Sequence, residues 1–123
     1  MRAGLLALIV LVAPVAANAA GDPIKGKAAA APCTACHTFG KGEPAKVGPN
    51  LNGIFGKTSG TNMPSYNYSE AMKKAGIVWS EETLRVYLKK PSDVVPGTKM
   101  TFPGYAQDEM RDNVIAYLKE ATK

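Results

Sequence analysis

The sequence is poor in side chains that bind metals or activate substrates, because its 123 residues include one histidine and two cysteines. A structural zinc site needs four ligands, so these three side chains could form one only with help from carboxylates. No segment alternates apolar and polar residues for long enough to predict a β-strand, which disfavours the βαβ pattern of disulfide oxidoreductases. Lys and Arg form no run longer than two and are not interleaved with aromatic residues, so nucleic-acid binding is not predicted.

Long apolar segments are also lacking, except near the N-terminus. Met1-Arg2 precedes an apolar run from Leu5 to Val12 and then Ala17-Asn18-Ala19, which is the pattern of a secretory signal peptide. The apolar run is shorter than the roughly 20 residues that span a membrane. We therefore expect residues 1–19 to be a cleaved signal peptide and residues 20–123 to form a single exported domain, most simply in a bacterial periplasm.

Signals for short helices occur at both ends and in the second half of the chain. Asp22-Pro23 predicts the start of a helix over about 23–31, which Pro32 would end. Ser69 and Ser80 would cap two more helices, which Gly76 and Pro91 would close. The last segment has apolar residues at helical spacing, which predicts that the following side chains face the core: Met110, Val114, Tyr117, Leu118 and Ala121. The opposite, polar face would carry Arg111, Asp112, Lys119 and Glu120.

Between the first two of these helices, residues 39–63 are rich in glycine and proline and predict a long loop. Long loops without secondary structure are uncommon in compact domains, and a cofactor inside the fold would explain what this one wraps. The sequence therefore predicts an all-α domain of about four or five short helices with large loops.

Cys33-Thr34-Ala35-Cys36-His37 combines the only cysteines and the only histidine in one pentapeptide. It is the C-x-x-C-H pattern of covalent haem attachment, in which each cysteine sulfur adds to one haem vinyl group. His37 would then lie beneath the iron, where an imidazole is a standard axial ligand. A plain disulfide would also explain the two cysteines but would leave His37 a coincidence, while a redox thiol pair and a zinc site are further alternatives. The pattern favours one covalently bound haem c with its iron.

A second axial ligand cannot be another histidine of this chain, and methionine is the other common ligand in small electron carriers. Met110 lies on the apolar face of the last predicted helix, and Met72 lies in a short helical stretch. Packing explains both residues more simply. Met63 and Met100 both lie in loops and remain candidates. Met100 follows Val95-Pro96-Gly97 in a stiffened loop far along the chain from His37, which would let the chain close on the haem from the opposite face.

These motifs resemble the soluble cytochromes c of mitochondria and their bacterial periplasmic relatives. The resemblance covers nearly all of residues 20–123 and implies the cytochrome c fold around one covalent haem, with Met100 rather than Met63 as the second iron ligand. Besides the pentapeptide it rests on residues 48–56, Tyr66–Ser69, Trp79, Tyr87-Leu88, Pro96–Met100 with Phe102, and Ile115–Lys119. It also implies roles around the haem for Pro49 as hydrogen-bond acceptor for His37, for Tyr68 and Trp79 at a haem propionate, and for Tyr87 and Thr98 beside Met100.

Three departures from the family pattern are visible. Ala28–Ala31 replace a large aromatic residue that relatives carry in the N-terminal helix, which puts the packing of that helix on the C-terminal helix in question. Lys57 stands where relatives often have an arginine near the propionates, so a point charge replaces a bidentate group. Met72 stands where relatives often have asparagine, which removes a polar group from the haem pocket.

A haem with both axial positions filled has no open site for oxygen or peroxide, which suits electron transfer and disfavours catalysis. The resemblance therefore implies a monomeric, soluble one-electron carrier, not an enzyme, between a quinol-oxidising membrane complex and a terminal oxidase, reductase or photosynthetic reaction centre. The alternatives are a dedicated acceptor for one periplasmic dehydrogenase and, if Met100 left the iron readily, a haem peroxidase.

The formal net charge of +5 falls to +4 if Arg2 is removed with the signal peptide, and such a moderate positive charge suits acidic protein surfaces. We expect redox partners to present acidic faces, and contact with membrane complexes to be transient at most. The lysines that flank the two ligand-bearing segments would form the contact surface, as the family's basic ring also implies: Lys25, Lys27, Lys89, Lys90 and Lys99.

Overall fold

The computed structural model describes residues 9–11 and 21–123, so most of the predicted signal peptide over residues 1–19 lies outside the described residues. The described part contains six helices, and its only β-type pairing is an isolated bridge between Thr58 and Val78. None of these helices is long and apolar enough to cross a membrane. The helices are α1 (Pro23–Ala29), α2 (Ala31–Thr34), α3 (Glu70–Lys74), α4 (Glu81–Lys89), α5 (Pro91–Val94) and α6 (Asp108–Ala121).

The all-α prediction is confirmed, but the number and bounds of the helices differ from the expectation of four or five. Helices α1 and α4 end before Pro32 and Pro91, as predicted, but each proline also lies in the first turn of a further four-residue helix, α2 or α5. Proline is tolerated there because the first N–H groups of a helix have no intrahelical partner. As a result Cys33 lies inside α2.

The helix caps lie where the sequence predicts them. The Asp22 carboxylate accepts hydrogen bonds from the N–H groups of Ile24 and Lys25 at the start of α1. Ser69 caps α3, and Ser80 forms a capping box with Thr83 at the start of α4. Each cap satisfies backbone donors that the first helical turn leaves free.

The N- and C-terminal helices pack on each other despite the alanines in α1. Gly26 is buried against α6, where a Cβ atom would lie 1.8 Å from the carbonyl oxygen of Asn113. The Asp22 N–H also donates to Asn113 Oδ1 over 2.7 Å. A glycine thus lets two backbones approach closely, so the contact does not depend on a large aromatic side chain in α1.

The apolar face of α6 is only partly where the sequence places it. Val114 and Leu118 are buried as expected, but Met110 is 38% exposed and does not belong to the core. Arg111, expected on the polar face, is 4% exposed. Its guanidinium donates to the carbonyls of Tyr105 and Ala106 and pairs with Asp108, which compensates most of the cost of burial.

The long loop over residues 39–63 is held by side-chain amides. Asn50 Nδ2 donates to the carbonyls of Gly40 at 2.7 Å and Glu43 at 2.9 Å. Asn52 Nδ2 donates to Phe39 O at 3.0 Å and to Lys123 O at 2.9 Å, which ties the loop to the end of the chain. These bonds let a segment without helices or strands form one wall of the interior.

Candidate functional site

A largely apolar cavity of about 500 Å³ lies between α2, the long loop, α4 and the segment around Met100. Its volume is within the range of small-molecule and cofactor sites. All nine side chains or backbone groups that the sequence singles out line this cavity: Cys33, Cys36, His37, Pro49, Tyr68, Trp79, Tyr87, Thr98 and Met100.

The two cysteines are free thiols, with Cys33 buried and Cys36 half-buried. The N–H groups of Cys36 and His37 both donate to the Cys33 carbonyl, over 3.1 and 2.8 Å, so α2 continues into a tight turn. This turn brings both sulfurs and the imidazole to the same cavity. Burial raises the pKa of the Cys33 thiol. Both sulfurs therefore lie where they could form thioethers with a haem in this cavity.

His37 is held in one orientation by its surroundings. Its Nδ1 lies 2.7 Å from the carbonyl oxygen of Pro49, and since a carbonyl can only accept, Nδ1 carries the proton. Burial lowers the pKa of His37, which favours the neutral ring. The ring also packs on Gly48, where a Cβ atom would lie 2.5 Å from Cε1. The lone pair of Nε2 is thus the one available to a metal ion.

The structure brings Met100, and not Met63, to the cavity. The Tyr87 hydroxyl donates to Met100 Sδ over 3.3 Å, and the Met100 N–H donates to Thr98 Oγ1 over 3.1 Å. Burial raises the pKa of Tyr87, so the phenol remains a donor. Met63 Sδ instead accepts a hydrogen bond from the Asn50 N–H at 3.4 Å. Of the two loop methionines, only Met100 therefore lines the cavity together with the other candidate ligands.

Tyr68 and Trp79 both have groups suited to an acidic substituent. The Tyr68 hydroxyl accepts from the Met63 N–H at 3.0 Å, which leaves the phenol proton free to be donated. Trp79 is 6% exposed and packs against Tyr87, with ring centroids 4.9 Å apart. Its backbone N–H donates to the carbonyl of Lys57 over 2.9 Å, whereas Lys57 itself is exposed and does not line the cavity.

Asn62 is a cavity residue that sequence reasoning missed. Its amide donates to the carbonyls of Asn50 at 3.2 Å and Asn52 at 3.0 Å, so it closes the loop that forms the cavity wall. A single asparagine in a polar loop carries no sequence signal of such a role. Met72, one of the departures from the family pattern, also lines the cavity.

The donor set of the cavity fits haem c. Two thiols and one imidazole come from a single turn, and a thioether comes from a separate segment across an apolar interior. This is the combination of attachment sites and axial ligands that C-x-x-C-H haem proteins of the His/Met type use. Within the part of the chain that the structure describes, no group of three or more His, Cys, Asp or Glu could hold another metal ion.

Comparison with known proteins agrees with this geometry. The cytochrome c family model matches residues 24–122. The chain is 52% identical over 101 residues to a cytochrome c2 of Agrobacterium tumefaciens, covering 80% of this chain and 90% of that protein. It is 53% identical over 90 residues to a cytochrome c of Sesamum indicum, covering 73% of this chain and 80% of that one. The solved structure of cytochrome cH from Methylobacterium extorquens has a TM-score of 0.76 and 44% identity, covering 81% of this chain and 99% of that chain.

Proposed function

The chain belongs to the cytochrome c family, whose members are electron carriers with covalently attached haem c, and from this premise we propose that it is a soluble one-electron carrier of a bacterial periplasm. Its electrons would come from a quinol-oxidising membrane complex and pass to a terminal oxidase, reductase or photosynthetic reaction centre. The observation that supports this role is the meeting of His37 and Met100 in one apolar cavity, because two axial ligands leave no open coordination position.

Each of the nine cavity residues that the sequence singles out has a proposed task. Cys33 and Cys36 would hold the haem through two thioethers, and His37 Nε2 and Met100 Sδ would bind its iron. The bound haem iron supplies the one-electron redox couple. The Pro49 carbonyl fixes the His37 ring and increases its basicity, as hydrogen-bond partners of metal-bound imidazoles do.

The remaining polar groups act on the sulfur and on the haem edge. Tyr87 and Thr98 hold Met100 through its sulfur and its N–H, respectively. Tyr68 and Trp79 would donate hydrogen bonds to a haem propionate, since each has an apolar ring in the cavity wall and a polar group that needs a partner when buried.

We also propose that residues 1–19 are removed on export and that residues 20–123 form the mature domain. The Ala17-Asn18-Ala19 cleavage pattern supports this boundary. So does the structure of α1, since the N-cap that begins it, Asp22, lies just after the boundary.

Mass spectrometry and visible spectroscopy of protein produced in an export-competent host test the function. The expected mass is that of a chain starting near Ala20 plus one haem, and the expected spectra are those of a low-spin haem in both redox states, with a sulfur-to-iron band when oxidised. A mass equal to the bare polypeptide less two hydrogens would mean a disulfide and would rule out the proposal.

A further inference from the structure

Tyr105 lies five residues after Met100 but reaches the opposite end of the chain. The residue is 7% exposed, and its hydroxyl donates to the carbonyl of Ala29 over 2.5 Å. The same oxygen lies 3.9 Å from Cys33 Sγ. Tyr105 therefore connects the segment that bears Met100 with the segment that leads into the C-x-x-C-H motif.

The backbone of Tyr105 is fixed on both sides. Its N–H donates to Leu88 O over 2.8 Å, and its carbonyl accepts from Arg111 Nη1 over 2.6 Å. Its ring packs on Phe102, a cavity residue, with centroids 4.8 Å apart. Contacts with α4, α6 and the cavity wall thus hold Tyr105 in place, and its hydroxyl adds a contact with α1.

This contact matters because only alanines occupy the positions from the end of α1 to the start of α2. Ala28–Ala31 have no side-chain atom beyond Cβ, so they cannot reach toward the Met100 segment themselves. The hydrogen bond from Tyr105 to Ala29 instead spans 76 positions of sequence and closes a ring of chain that contains Cys33, Cys36, His37 and Met100. The bond therefore joins the segment before the C-x-x-C-H motif directly to the segment after Met100. Burial raises the pKa of Tyr105, so its hydroxyl stays protonated as a donor.

We propose that Tyr105 is a positioning residue that fastens the Met100 segment to the Cys33 segment and so keeps the Met100 sulfur at the haem. The proposal rests on the proposed function for the identity of the sulfur ligand. The fastening itself is a property of the polypeptide and can be measured separately.

The test compares Tyr105→Phe with the haem-loaded wild type and a matched control, Tyr117→Phe. Tyr105→Phe keeps the ring and removes only the hydroxyl. The Tyr117 ring packs on Phe39, and its hydroxyl makes no hydrogen bond with the residues that the structure describes. Far-UV circular dichroism checks that each variant is folded.

Two measurements then test whether Tyr105 holds the Met100 segment and the Cys33 segment together. Imidazole should replace the sulfur ligand of ferric Tyr105→Phe about fivefold faster than in the wild type, which is the scale expected for loss of one buried hydrogen bond. Amide hydrogen exchange in residues 101–106 and 26–33 should accelerate by a similar factor, with Tyr117→Phe unchanged in both measurements.

The outcomes separate this proposal from the proposed function. If Tyr105→Phe matches the wild type in both ligand replacement and hydrogen exchange, the fastening role is wrong while the carrier function stands. If the wild type has no sulfur-to-iron band, the assignment of Met100 fails, and with it the claim that Tyr105 holds a ligand. The amide hydrogen-exchange rates of Tyr105→Phe would still show whether the Tyr105 hydroxyl holds the two segments together.

Discussion

Two loop methionines that are alike in the sequence differ in what their sulfurs contact. Met100 Sδ accepts a hydrogen bond from the Tyr87 hydroxyl inside the cavity, whereas Met63 Sδ accepts one from the backbone of Asn50 outside it. A thioether sulfur could bind a haem iron only if it lines the cavity. The position of each side chain therefore decides its role.

Substitution of each methionine tests this difference. Met100→Ala should abolish the sulfur-to-iron band of the ferric protein and lower the reduction potential, because a methionine ligand raises it. Met63→Ala should leave both unchanged and cost about 1–2 kcal/mol of stability, since the half-buried side chain loses only part of its packing. Visible spectra, redox titration and denaturant unfolding measure these effects, and loss of the band in Met63→Ala alone would reverse the assignment.

Gly48 is the backbone position that most directly limits the His37 ring. In Gly48→Ala the new Cβ would lie 2.5 Å from His37 Cε1, so the ring or the loop must shift. We expect an altered ferric haem spectrum and a stability loss of about 1–3 kcal/mol from overpacking.

Gly42→Ala is the matched control for Gly48→Ala. Gly42 has a φ of +78° and open space around its position, so alanine there strains only the backbone. This strain costs about 1–2 kcal/mol, but the spectrum should stay that of the wild type. Equal spectral changes in the two variants would show that contact with His37 is not the cause.

At the level of helices, the close contact of α1 with α6 depends on the absence of a side chain at Gly26. Alanine is the better helix former by about 1 kcal/mol, so propensity alone predicts that Gly26→Ala is stabilising. The overlap with the Asn113 backbone, 1.8 Å from the new Cβ, predicts the opposite. Backbone atoms cannot rotate away as a flexible side chain can. The overlap should therefore outweigh the helix propensity and make Gly26→Ala destabilising.

Gly26→Ala should thus lower the unfolding free energy by a net amount of about 1–3 kcal/mol. Lys25→Ala, at an exposed neighbouring position of α1, should change it by less than about 0.5 kcal/mol. Denaturant unfolding of the haem-loaded proteins measures both. A Gly26→Ala variant as stable as the wild type would mean that α1 can move away from α6 at no cost.

Local signals predicted the helices well where the chemistry is local. The Ser69 and Ser80 caps depend on hydrogen bonds across three residues, which a sequence shows directly. The burial of Arg111 could not be read in this way, because carbonyls before the helix accept hydrogen bonds from its guanidinium and Asp108 pairs with its charge. Helical periodicity alone also predicted Met110 in the core, but this residue is 38% exposed.

At the level of the whole molecule, the cavity residues could be identified together because the motifs that carry them are short and ordered along the chain. The hydrogen bonds between distant segments could not be identified from the sequence. The bond from Tyr105 to Ala29 spans 76 positions, and that from Asn52 to Lys123 spans 71. Neither pair has a pattern in the sequence, since each depends on how the complete chain closes around the cavity.

The lysines proposed for docking are exposed, but their surroundings differ. Lys90 lies 3.5 Å from Asp93, which offsets part of its charge. Lys99 lines the cavity and donates to the carbonyl of Asn67 over 2.9 Å, so it is oriented without being neutralised. Lys27 lies in the last turn of α1, before the haem motif. Lys27 and Lys99 are therefore suitable positions for testing whether charge near both ligand-bearing segments guides a partner.

Reversing these two charges should slow electron transfer to an acidic redox partner. A localised positive patch can raise association rates ten- to a thousandfold at low salt, and its field is screened within about 8 Å at physiological ionic strength. The double variant Lys27→Glu/Lys99→Glu should therefore show a lower second-order rate constant and a flatter salt dependence in stopped-flow measurements, with an unchanged haem spectrum. Lys123→Glu, at the exposed C-terminus, is the control and should slow the reaction much less per charge. If the control slowed the reaction equally per charge, net charge alone would account for the rate, because a docking face requires that position matter as well as sign.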